Sequence, residues 1–386
     1  MPGSAVPTPP DIAVPKGLLP SDGRFGSGPS KIRPEAVAAL AALGGRDAGY
    51  LGTSHRQAPV RNVVRRVREG VAGLFSLPEG YEVVLGNGGS TAFFDVAAFC
   101  LVEHRSQHLS FGEFSSKFAA TVAVAPFLED PHVIESEPGT HPKPFAGEGI
   151  DTYALTHNET STGVQMEIAR PRNPSGGVAP GIVVVDGTSA AGGLRVDPGQ
   201  FDAYYFAPQK CLGSEGGLWV ACLSPEAVAR SEQIAASGRY TPAFLDLNLA
   251  LANSRLDQTY NTPALSTLLL LALQLEWFNS NGGLDFAASR SEASAVALYS
   301  WAERSAFAEP FVQKPDERSR VVGTIDFDEA VPAATVAAVL RANGVVDTEG
   351  YRKLGRNQLR IALFPTIEPS DVEALTACID HVVERL

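Results

Sequence analysis

The sequence predicts an α/β fold, in which a large domain with a mostly parallel sheet flanked by helices precedes a smaller C-terminal α/β domain. With 386 residues, 44% of them hydrophobic and 19% charged, the chain is long enough to build two cores. Short strand patterns alternate with helical patterns along most of the chain. Several strand patterns, such as GIVVVDG (181–187), are apolar throughout, which is typical of parallel strands covered by helices on both faces.

The N-terminal part of the chain contains the patterns for the large sheet. Helices are predicted at 34–43, 60–75 and 91–101. Strands are predicted at 81–86, 107–111, 152–157, 181–187, 202–208 and 218–224. The most apolar segment, LSTLLLLALQLEWF (265–278), is shorter than the roughly 18 apolar residues of a membrane span and includes Gln274 and Glu276, so we predict a buried helix there.

The pattern changes after Leu256, where a second unit begins to form. Two long helical patterns, at about 263–279 and 284–304, lead into it. The remaining patterns are a strand at 320–327, a helix at 333–344, a strand at 357–364 and a helix at 369–386. We therefore predict an N-terminal tail at 1–22, a large domain at 23–270 and a small C-terminal domain at 271–386, to within about ten residues.

Charge and cysteine content argue against several classes of function. The net charge of −12 disfavours a nucleic-acid-binding protein, which would usually have a basic face. His104 and His108 have the spacing of two metal ligands but no third ligand accompanies them, so we expect no metal site. The proline-rich N-terminus lacks the pattern of a signal peptide. A reduced cytoplasmic protein is expected, because no CxxC pair occurs among the four cysteines, Cys100, Cys211, Cys222 and Cys378.

Three segments place polar residues at the ends of predicted strands. GNGGST (86–91) joins a strand to a helix, where its backbone could bind a phosphate or simply form a tight turn. Asp186 ends a buried strand and could contact a ligand or cap a turn. Lys210, in APQKCLGSEGG (207–217), is either a loop lysine or an amine activated by a dry pocket. Together the three segments match the attachment points of pyridoxal 5′-phosphate.

With these residues in place, the chain resembles the phosphoserine aminotransferases. That family belongs to aminotransferase class V, among the fold-type I (aspartate-aminotransferase-like) pyridoxal-phosphate enzymes. The resemblance covers nearly the whole chain after about residue 20. It is carried by FGSGPSKIRPE (25–35), TSHR (53–56), GNGGST (86–91), FGEFSSKF (111–118), HNETSTG (157–163), VVVDGTS (183–189), APQKCLGSEGG (207–217), YNTP (260–263) and NQLRIALF (357–364).

The resemblance implies two catalytic residues and several contacts to the cofactor ring. Lys210 would bind the cofactor covalently, and Asp186 would pair with the ring nitrogen. Thr160 would lie near the ring hydroxyl. Phe114 would stack on the ring at a position where relatives often have tryptophan, and a phenyl ring can take that role.

The resemblance also implies a phosphate site that two subunits share. Gly89 and Ser90 would bind the cofactor phosphate with help from Gln209. Asn261 and Thr262 would reach that phosphate from the neighbouring subunit, which requires a closed homodimer.

For the substrates, the resemblance implies L-glutamate and 3-phosphohydroxypyruvate, giving O-phospho-L-serine and 2-oxoglutarate in serine biosynthesis. Arg360 would bind the substrate carboxylate through its planar guanidinium, assisted by Ser27. His55 and Arg56 would bind the second anionic group, donated across the dimer.

One position departs from the family pattern, and three other functions are alternatives. Many relatives have an arginine, which would contact the substrate phosphate, where this chain has Ser90, and no role is assigned to Arg352 and Lys353. A serine– or alanine–glyoxylate aminotransferase would not need His55 and Arg56. A cysteine desulfurase would need an exposed cysteine. A non-catalytic ligand-sensing domain with this fold is a further alternative.

Overall fold

Strands and helices alternate along the computed structural model, which describes residues 10–43 and 49–386. The strands are β1 (Glu82–Gly88), β2 (Ser106–Ser110), β3 (His132–Glu135), β4 (Thr152–Thr156), β5 (Asn158–Glu159), β6 (Val164–Gln165), β7 (Ile182–Asp186), β8 (Ala203–Phe206), β9 (Gly217–Leu223), β10 (Ala308–Pro310), β11 (Val322–Phe327) and β12 (Gln358–Ala362). The helices are α1 (Pro34–Ala42), α2 (Ala58–Leu74), α3 (Ser90–Cys100), α4 (Glu113–Ala123), α5 (Pro225–Ala236), α6 (Leu247–Ser254), α7 (Leu265–Ser280), α8 (Gly283–Arg304), α9 (Ala333–Ala342) and α10 (Pro369–Val383). The predicted helices and strands are confirmed, with ends shifted by a few residues.

The large unit is built on a seven-stranded sheet in the order β1-β9-β8-β7-β4-β2-β3. Strands β3, β2, β4, β7 and β8 are mutually parallel, whereas β9 runs antiparallel to both of its neighbours, β8 and β1. The mostly parallel sheet is therefore confirmed. The exception has a simple cause: a parallel crossover needs about a dozen residues or more, usually with a helix, and the helix-free connection at 207–216 is too short for one.

Both faces of this sheet are buried, which explains why its central strands are apolar at every position. In β7, Val183 and Val185 pack into one core, which α2 and α7 cover. Ile182 and Val184 face the opposite core, which α3, α4, α5 and α6 cover. Helix α7 is the apolar segment noted above, and five of its seven leucines are buried, which confirms the predicted buried helix. Within the described part of the chain, no helix combines the length and apolarity that a membrane crossing needs.

The smaller unit has an antiparallel sheet, β10-β11-β12, packed against α8, α9 and α10. Its core also takes in Phe25, because the segment before α1 crosses to this unit: the N–H of Phe25 donates to the carbonyl of Val346, and the N–H of Ala362 donates to the carbonyl of Phe25. The described part of the predicted tail packs here too, with Val14 buried.

The predicted division of the chain at residue 270 stays a prediction, and the cores favour a later position. All of the buried leucines of α7 that belong to a core pack with the large unit. Along α8, Ala287 belongs to the large core, whereas Ala295 and Leu298 belong to the small one. We propose that the two domains meet within α8.

Helix α4 was missed by pattern reasoning, as were α5, α6, β3 and the small hairpin of β5 and β6. The first turn of α4 has no capping side chain of its own. Instead, Glu159 accepts hydrogen bonds from the N–H groups of Phe114 (3.1 Å) and Ser115 (2.8 Å). A carboxylate at a helix N-terminus stabilises the helix. Because Glu159 lies far from α4 in the sequence, no local pattern predicts the helix.

Asp202 should be a main determinant of stability in the large unit. It is buried, accepts two hydrogen bonds from Arg170 at 2.7 and 2.8 Å, and also accepts from the Val183 N–H (2.7 Å) and the Ser224 hydroxyl (3.0 Å). We expect Asp202→Ala to lower the free energy of unfolding by about 3–5 kcal/mol, because it leaves a partly buried arginine without its partner. Urea unfolding measures this effect.

The control is Asp285→Ala, which breaks an exposed pair with Arg195 of the same N–O distance, 2.7 Å. Exposed ion pairs contribute at most about 1 kcal/mol, so this variant should unfold close to wild type. Equal losses in the two variants would contradict the role of buried Asp202.

Candidate active site

A cavity of about 310 Å³ opens where the parallel strands β4, β7 and β8 end, beside the start of α3. This is the edge of an open α/β sheet at which ligands bind. Its lining includes seven of the predicted site residues: Gly89, Ser90, Phe114, Thr160, Asp186, Gln209 and Lys210. Ser27 and Arg360 adjoin them through the contacts described below. The geometry thus brings together residues predicted from widely separated motifs, and their roles stay predictions.

The amine of Lys210 lies inside the cavity, held by the backbone of the segment before α1. Its Nζ donates to the carbonyl oxygen of Ser27 at 2.6 Å. Burial lowers the pKa of Lys210 to about 8, and the positive charge of Arg360 contributes to the shift. More of this amine is therefore unprotonated near neutral pH than for an ordinary lysine, which suits a base or nucleophile.

Gly28 makes this approach possible. Its φ is +143°, and a Cβ at this position would lie 2.6 Å from the Nζ of Lys210. Any side chain here would displace the lysine amine, so glycine is required for close contact with Lys210 as well as for its backbone conformation.

Asp186, at the end of β7, is buried, and its two oxygens differ in their surroundings. Oδ1 accepts from the N–H of Thr188 at 2.8 Å and from the Thr188 hydroxyl. Among the described residues, no group donates to Oδ2. Burial raises the pKa of Asp186 to about 6, and the two hydrogen bonds from Thr188 oppose the rise. The free oxygen of a carboxylate in a dry cavity suits a ligand that brings a positively charged N–H group.

Ser90 is connected to this carboxylate through Thr188. The hydroxyl oxygens of Ser90 and Thr188 lie 2.6 Å apart. A hydroxyl has one hydrogen, and Asp186 as a carboxylate can only accept. With the Thr188 proton directed to Asp186, Ser90 donates to Thr188, and the lone pairs of Ser90 remain for other donors.

The first turn of α3, which begins at Ser90, has backbone N–H groups at the edge of the cavity. Gly89 is its N-cap residue, with no capping side chain. Space is open at Gly89, since a Cβ there would have no neighbour within 4 Å. The uncapped N–H groups and the partial positive charge of the helix end favour a phosphate at this position.

Phe114 forms one wall of the cavity. Its ring centroid lies 5.8 Å from the Nζ of Lys210. Its backbone is held by Glu159, which is fully buried and also accepts from the N–H and hydroxyl of Ser161. An aromatic wall next to the reactive amine can stack on a flat ring.

Arg360 projects from β12, the edge of the smaller sheet, toward the loop after β4. One nitrogen of its guanidinium donates to the carbonyl of Thr160 at 3.4 Å, and Nε is buried without a hydrogen-bond partner among the described residues. Burial lowers its pKa, but a guanidinium stays charged at any physiological pH. Arg360 is thus a half-buried cation that lacks a strong acceptor, as expected of a carboxylate-binding residue without its ligand.

The other four predicted residues lie together but outside the lining of the cavity. Thr262 and His55 are linked by a hydrogen bond of 3.0 Å between Oγ1 and Nδ1. The exposed Arg56 donates to Gln258 at 2.6 Å, and Asn261 is exposed. One chain alone does not bring this group to its own cavity, and the expectation that a neighbouring subunit receives it stays a prediction.

The residues present fit pyridoxal 5′-phosphate. The start of α3 suits the phosphate, the free oxygen of Asp186 suits the ring N–H, and Phe114 suits the ring face. Buried polar atoms without a partner among the described residues include the Ser27 hydroxyl oxygen, Gln209 Oε1 and Asn158 Oδ1, all in or beside the cavity. Such atoms are costly to leave unpaired, and a polar ligand in the cavity would satisfy these three.

Comparison with known proteins gives the family. The aminotransferase class-V family matches residues 25–354. The chain belongs to this family. It is 59% identical over 375 residues to a phosphoserine aminotransferase from a Nocardioides species, covering 97% of this chain and 99% of that one. The resemblance inferred from the motifs is therefore confirmed.

Solved structures agree with the fold. The chain is similar to a phosphoserine aminotransferase from Cytophaga hutchinsonii, with a TM-score of 0.84 and 22% identity, over 92% of this chain and 97% of that one. It is also similar to the enzyme from Bacillus circulans subsp. alkalophilus, with a TM-score of 0.81 and 23% identity, over 94% and 98% of the two chains. At these identities the likeness shows the fold alone, and it confirms the fold-type I architecture.

Sequence reasoning missed several residues that shape the site. Thr188 and Glu159 were inside the quoted motifs VVVDGTS and HNETSTG, but only the geometry shows that they hold Asp186 and Phe114. A threonine two positions after a strand-end aspartate is the signal that could have suggested the first contact. Cys211, next to Lys210 in the chain, is buried, and its thiol lies 3.1 Å from the Ser189 carbonyl.

Removing the charge of Asp186 should stabilise the cofactor-free protein in a pH-dependent way. The folded-state pKa of about 6 exceeds the ordinary value of 3.8, so the native state loses stability as pH rises through this interval. Asp186→Asn avoids that loss. Its advantage over wild type should grow by about 2 kcal/mol between about pH 4.5 and about pH 7.5, as measured by urea unfolding.

The control is Asp328→Asn, which changes an exposed aspartate. Its difference from wild type should not grow with pH. An advantage of Asp186→Asn that is constant or shrinks toward high pH would show that burial of this charge does not destabilise the fold.

Proposed function

We propose that the chain transfers an amino group from L-glutamate to 3-phosphohydroxypyruvate, giving O-phospho-L-serine and 2-oxoglutarate in serine biosynthesis. The observation that carries this proposal is the 59% identity, over almost the full length of both chains, with a phosphoserine aminotransferase. The arrangement of Lys210, Asp186 and Arg360 around one cavity supports it chemically.

The cofactor is pyridoxal 5′-phosphate, whose protonated ring, when bound, withdraws electrons from the substrate carbon that loses a proton. Asp186 Oδ2 would accept from the ring N–H, and its negative charge keeps that nitrogen protonated. The backbone N–H groups of Gly89, Ser90 and the start of α3 would hold the phosphate, with Gln209 beside them. Phe114 would cover one face of the ring, and Thr160 would lie near its hydroxyl.

Lys210 would have two roles, as the attachment point for the cofactor aldehyde and as the general base. With the substrate amine in its place, the free Nζ would accept the proton from the substrate Cα and, once protonated, would give that proton up again in the step that completes the amino transfer. A base works best when its pKa is near the operating pH, and the pKa of about 8 supports this role. The Ser27 carbonyl, 2.6 Å from Nζ, directs the amine and removes none of its capacity to accept a proton.

Arg360 would bind the carboxylate shared by all four substrates and products. Its planar donors match a carboxylate with two parallel hydrogen bonds. The hydroxyl of Ser27, which is buried without a partner in the described chain, would donate to the same carboxylate.

We also propose a closed homodimer in the cytoplasm. His55, Arg56, Asn261 and Thr262 form one group on the surface, and in a two-fold dimer they would complete the partner's cavity. There Arg56 and His55 would bind the phosphate or γ-carboxylate of the substrate. The four cysteines are buried and free, which suits a reducing compartment.

Substitution of Lys210 tests the centre of the proposal. Wild type loaded with cofactor should have a visible absorbance band, and borohydride should bleach it and fix the added mass on the peptide that contains Lys210. Lys210→Ala should take up no such mass, and turnover with glutamate and 3-phosphohydroxypyruvate should fall by at least about 10³-fold, since both the base and the attachment point are lost.

The control is Lys117→Ala, because Lys117 is a second lysine near the Phe114 ring, 5.0 Å away, but is exposed. It should behave as wild type. A Lys210→Ala variant that retained the borohydride-sensitive mass and turnover would rule out the assignment.

The choice of amino acceptor separates the proposal from a glyoxylate aminotransferase. Wild type should use 3-phosphohydroxypyruvate with a much higher kcat/KM than glyoxylate. Arg56→Ala should lower kcat/KM for 3-phosphohydroxypyruvate by roughly 10- to 100-fold, because it removes a charged hydrogen bond to the phosphate. It should change glyoxylate turnover little, because glyoxylate has no second anion.

Arg61→Ala is the matched control, since Arg61 contacts the same surface segment through the Leu256 carbonyl, 3.0 Å from its Nε. Faster turnover of glyoxylate by wild type, or an equal loss for both acceptors in Arg56→Ala, would refute the proposed substrate.

A further inference from the structure

The orientation of Arg360 is not explained by its hydrogen bonds. The one hydrogen bond of its guanidinium to a described residue is the 3.4 Å contact with Thr160, at the long end of the useful range. A long side chain with several free torsions loses entropy when a ligand fixes it. Another contact must therefore hold this guanidinium in place if it is to be oriented before a carboxylate binds.

Tyr351 supplies the missing contact. The guanidinium carbon of Arg360 lies 5.2 Å from the centre of the Tyr351 ring, within the range of a cation–π interaction. No hydrogen bond joins the two side chains in the described structure, so the N–H donors of Arg360 remain free for a ligand. The same ring lies 6.2 Å from the ring of Phe114, at the wall of the cavity.

The backbone around Tyr351 is tied to the large unit. It leads into a short 3₁₀ turn, Arg352–Leu354, in which Lys353 pairs with Glu113 at 2.5 Å. Glu113 is the first residue of α4, directly before Phe114. The turn of α4 that presents Phe114 to the cavity therefore also anchors the segment that carries Tyr351.

We propose that Tyr351 is a positioning residue, which holds the Arg360 guanidinium through the face of its ring so that the substrate carboxylate meets a preorganised binding group. The inference rests on the proposed function, because the carboxylate belongs to the proposed substrates. The ring, and not the hydroxyl, carries the role. Both substrates have the carboxylate, so both depend on Tyr351.

Variants that remove the ring of Tyr351 test its proposed role. Tyr351→Leu should raise KM for glutamate and for 3-phosphohydroxypyruvate alike, by roughly 3- to 30-fold, as expected from the strength of a cation–π contact. The value of kcat, the affinity for the cofactor and the melting temperature should stay near those of wild type. Tyr351→Phe keeps the ring and should restore both KM values. Tyr351→Gln provides a second variant without a ring should the leucine variant fold poorly.

A double-mutant cycle shows whether Tyr351 acts through Arg360. Arg360→Lys alone should raise both KM values, and adding Tyr351→Leu should raise them little further. The matched control is Phe311→Leu, which removes a ring beneath Arg356, 4.6 Å away, at a site outside the cavity lining. Its KM values should equal those of wild type.

Three results would overturn the inference: unchanged KM values in both variants without the ring, equal losses in Tyr351→Phe and Tyr351→Leu, or independent effects of Tyr351 and Arg360. Calorimetric titration with glutarate, a dicarboxylate that cannot react, separates the inference from the proposed function. Should wild type fail to transaminate, the function is wrong, and weaker glutarate binding by Tyr351→Leu than by Tyr351→Phe still decides the role of the ring.

Discussion

The burial of an amine and a carboxylate in one cavity is the constraint on which the rest of this structure depends. Both Lys210 and Asp186 lose water, and their pKa values move toward neutrality, to about 8 and about 6. Each receives partial compensation, Lys210 from the Ser27 carbonyl and Asp186 from Thr188. Neither is satisfied completely, because each must keep capacity for a ligand. A site of this kind stores unfavourable free energy in the empty protein, and binding of an oppositely charged partner releases it.

The architecture of the large sheet explains how these buried groups come together. Parallel strands that are buried on both faces deliver their carboxyl ends to one edge, so residues following β4, β7 and β8 converge without strain in the strands themselves. The segment around Lys210 is short and is fixed at both ends, by β8 and by the antiparallel β9. The smaller unit approaches the cavity from the other side, since Arg360 comes from β12 and donates to Thr160 of the cavity lining.

Much of this could be predicted from the sequence, and the exceptions share a physical cause. Apolar strands, long helices and the motifs around Asp186 and Lys210 are local signals, and the structure places them at one edge as expected. The capping of α4 by Glu159 and the contact of Thr188 with Ser90 join residues distant in the chain, and the contact of Tyr351 with Arg360 depends on how the irregular segment between them folds. No local pattern encodes such pairs. His55 and Arg56 are a different case, because their expected place depends on a second copy of the chain.

The contact between Lys210 and the Ser27 carbonyl has a consequence for biosynthesis. Ser27 follows Phe25, whose backbone bonds to Val346 and to Ala362 in β12, close to the end of the chain. When the ribosome has made the whole large sheet, it has therefore not yet made β12, which bonds to the segment that contains Ser27. The lysine, the aspartate and the start of α3 belong to the part of the chain that is made first, whereas the hydrogen bonds of Phe25 to Val346 and Ala362 form only after the last elements emerge. Premature termination would thus release a chain in which the segment that faces the reactive lysine lacks these two backbone hydrogen bonds.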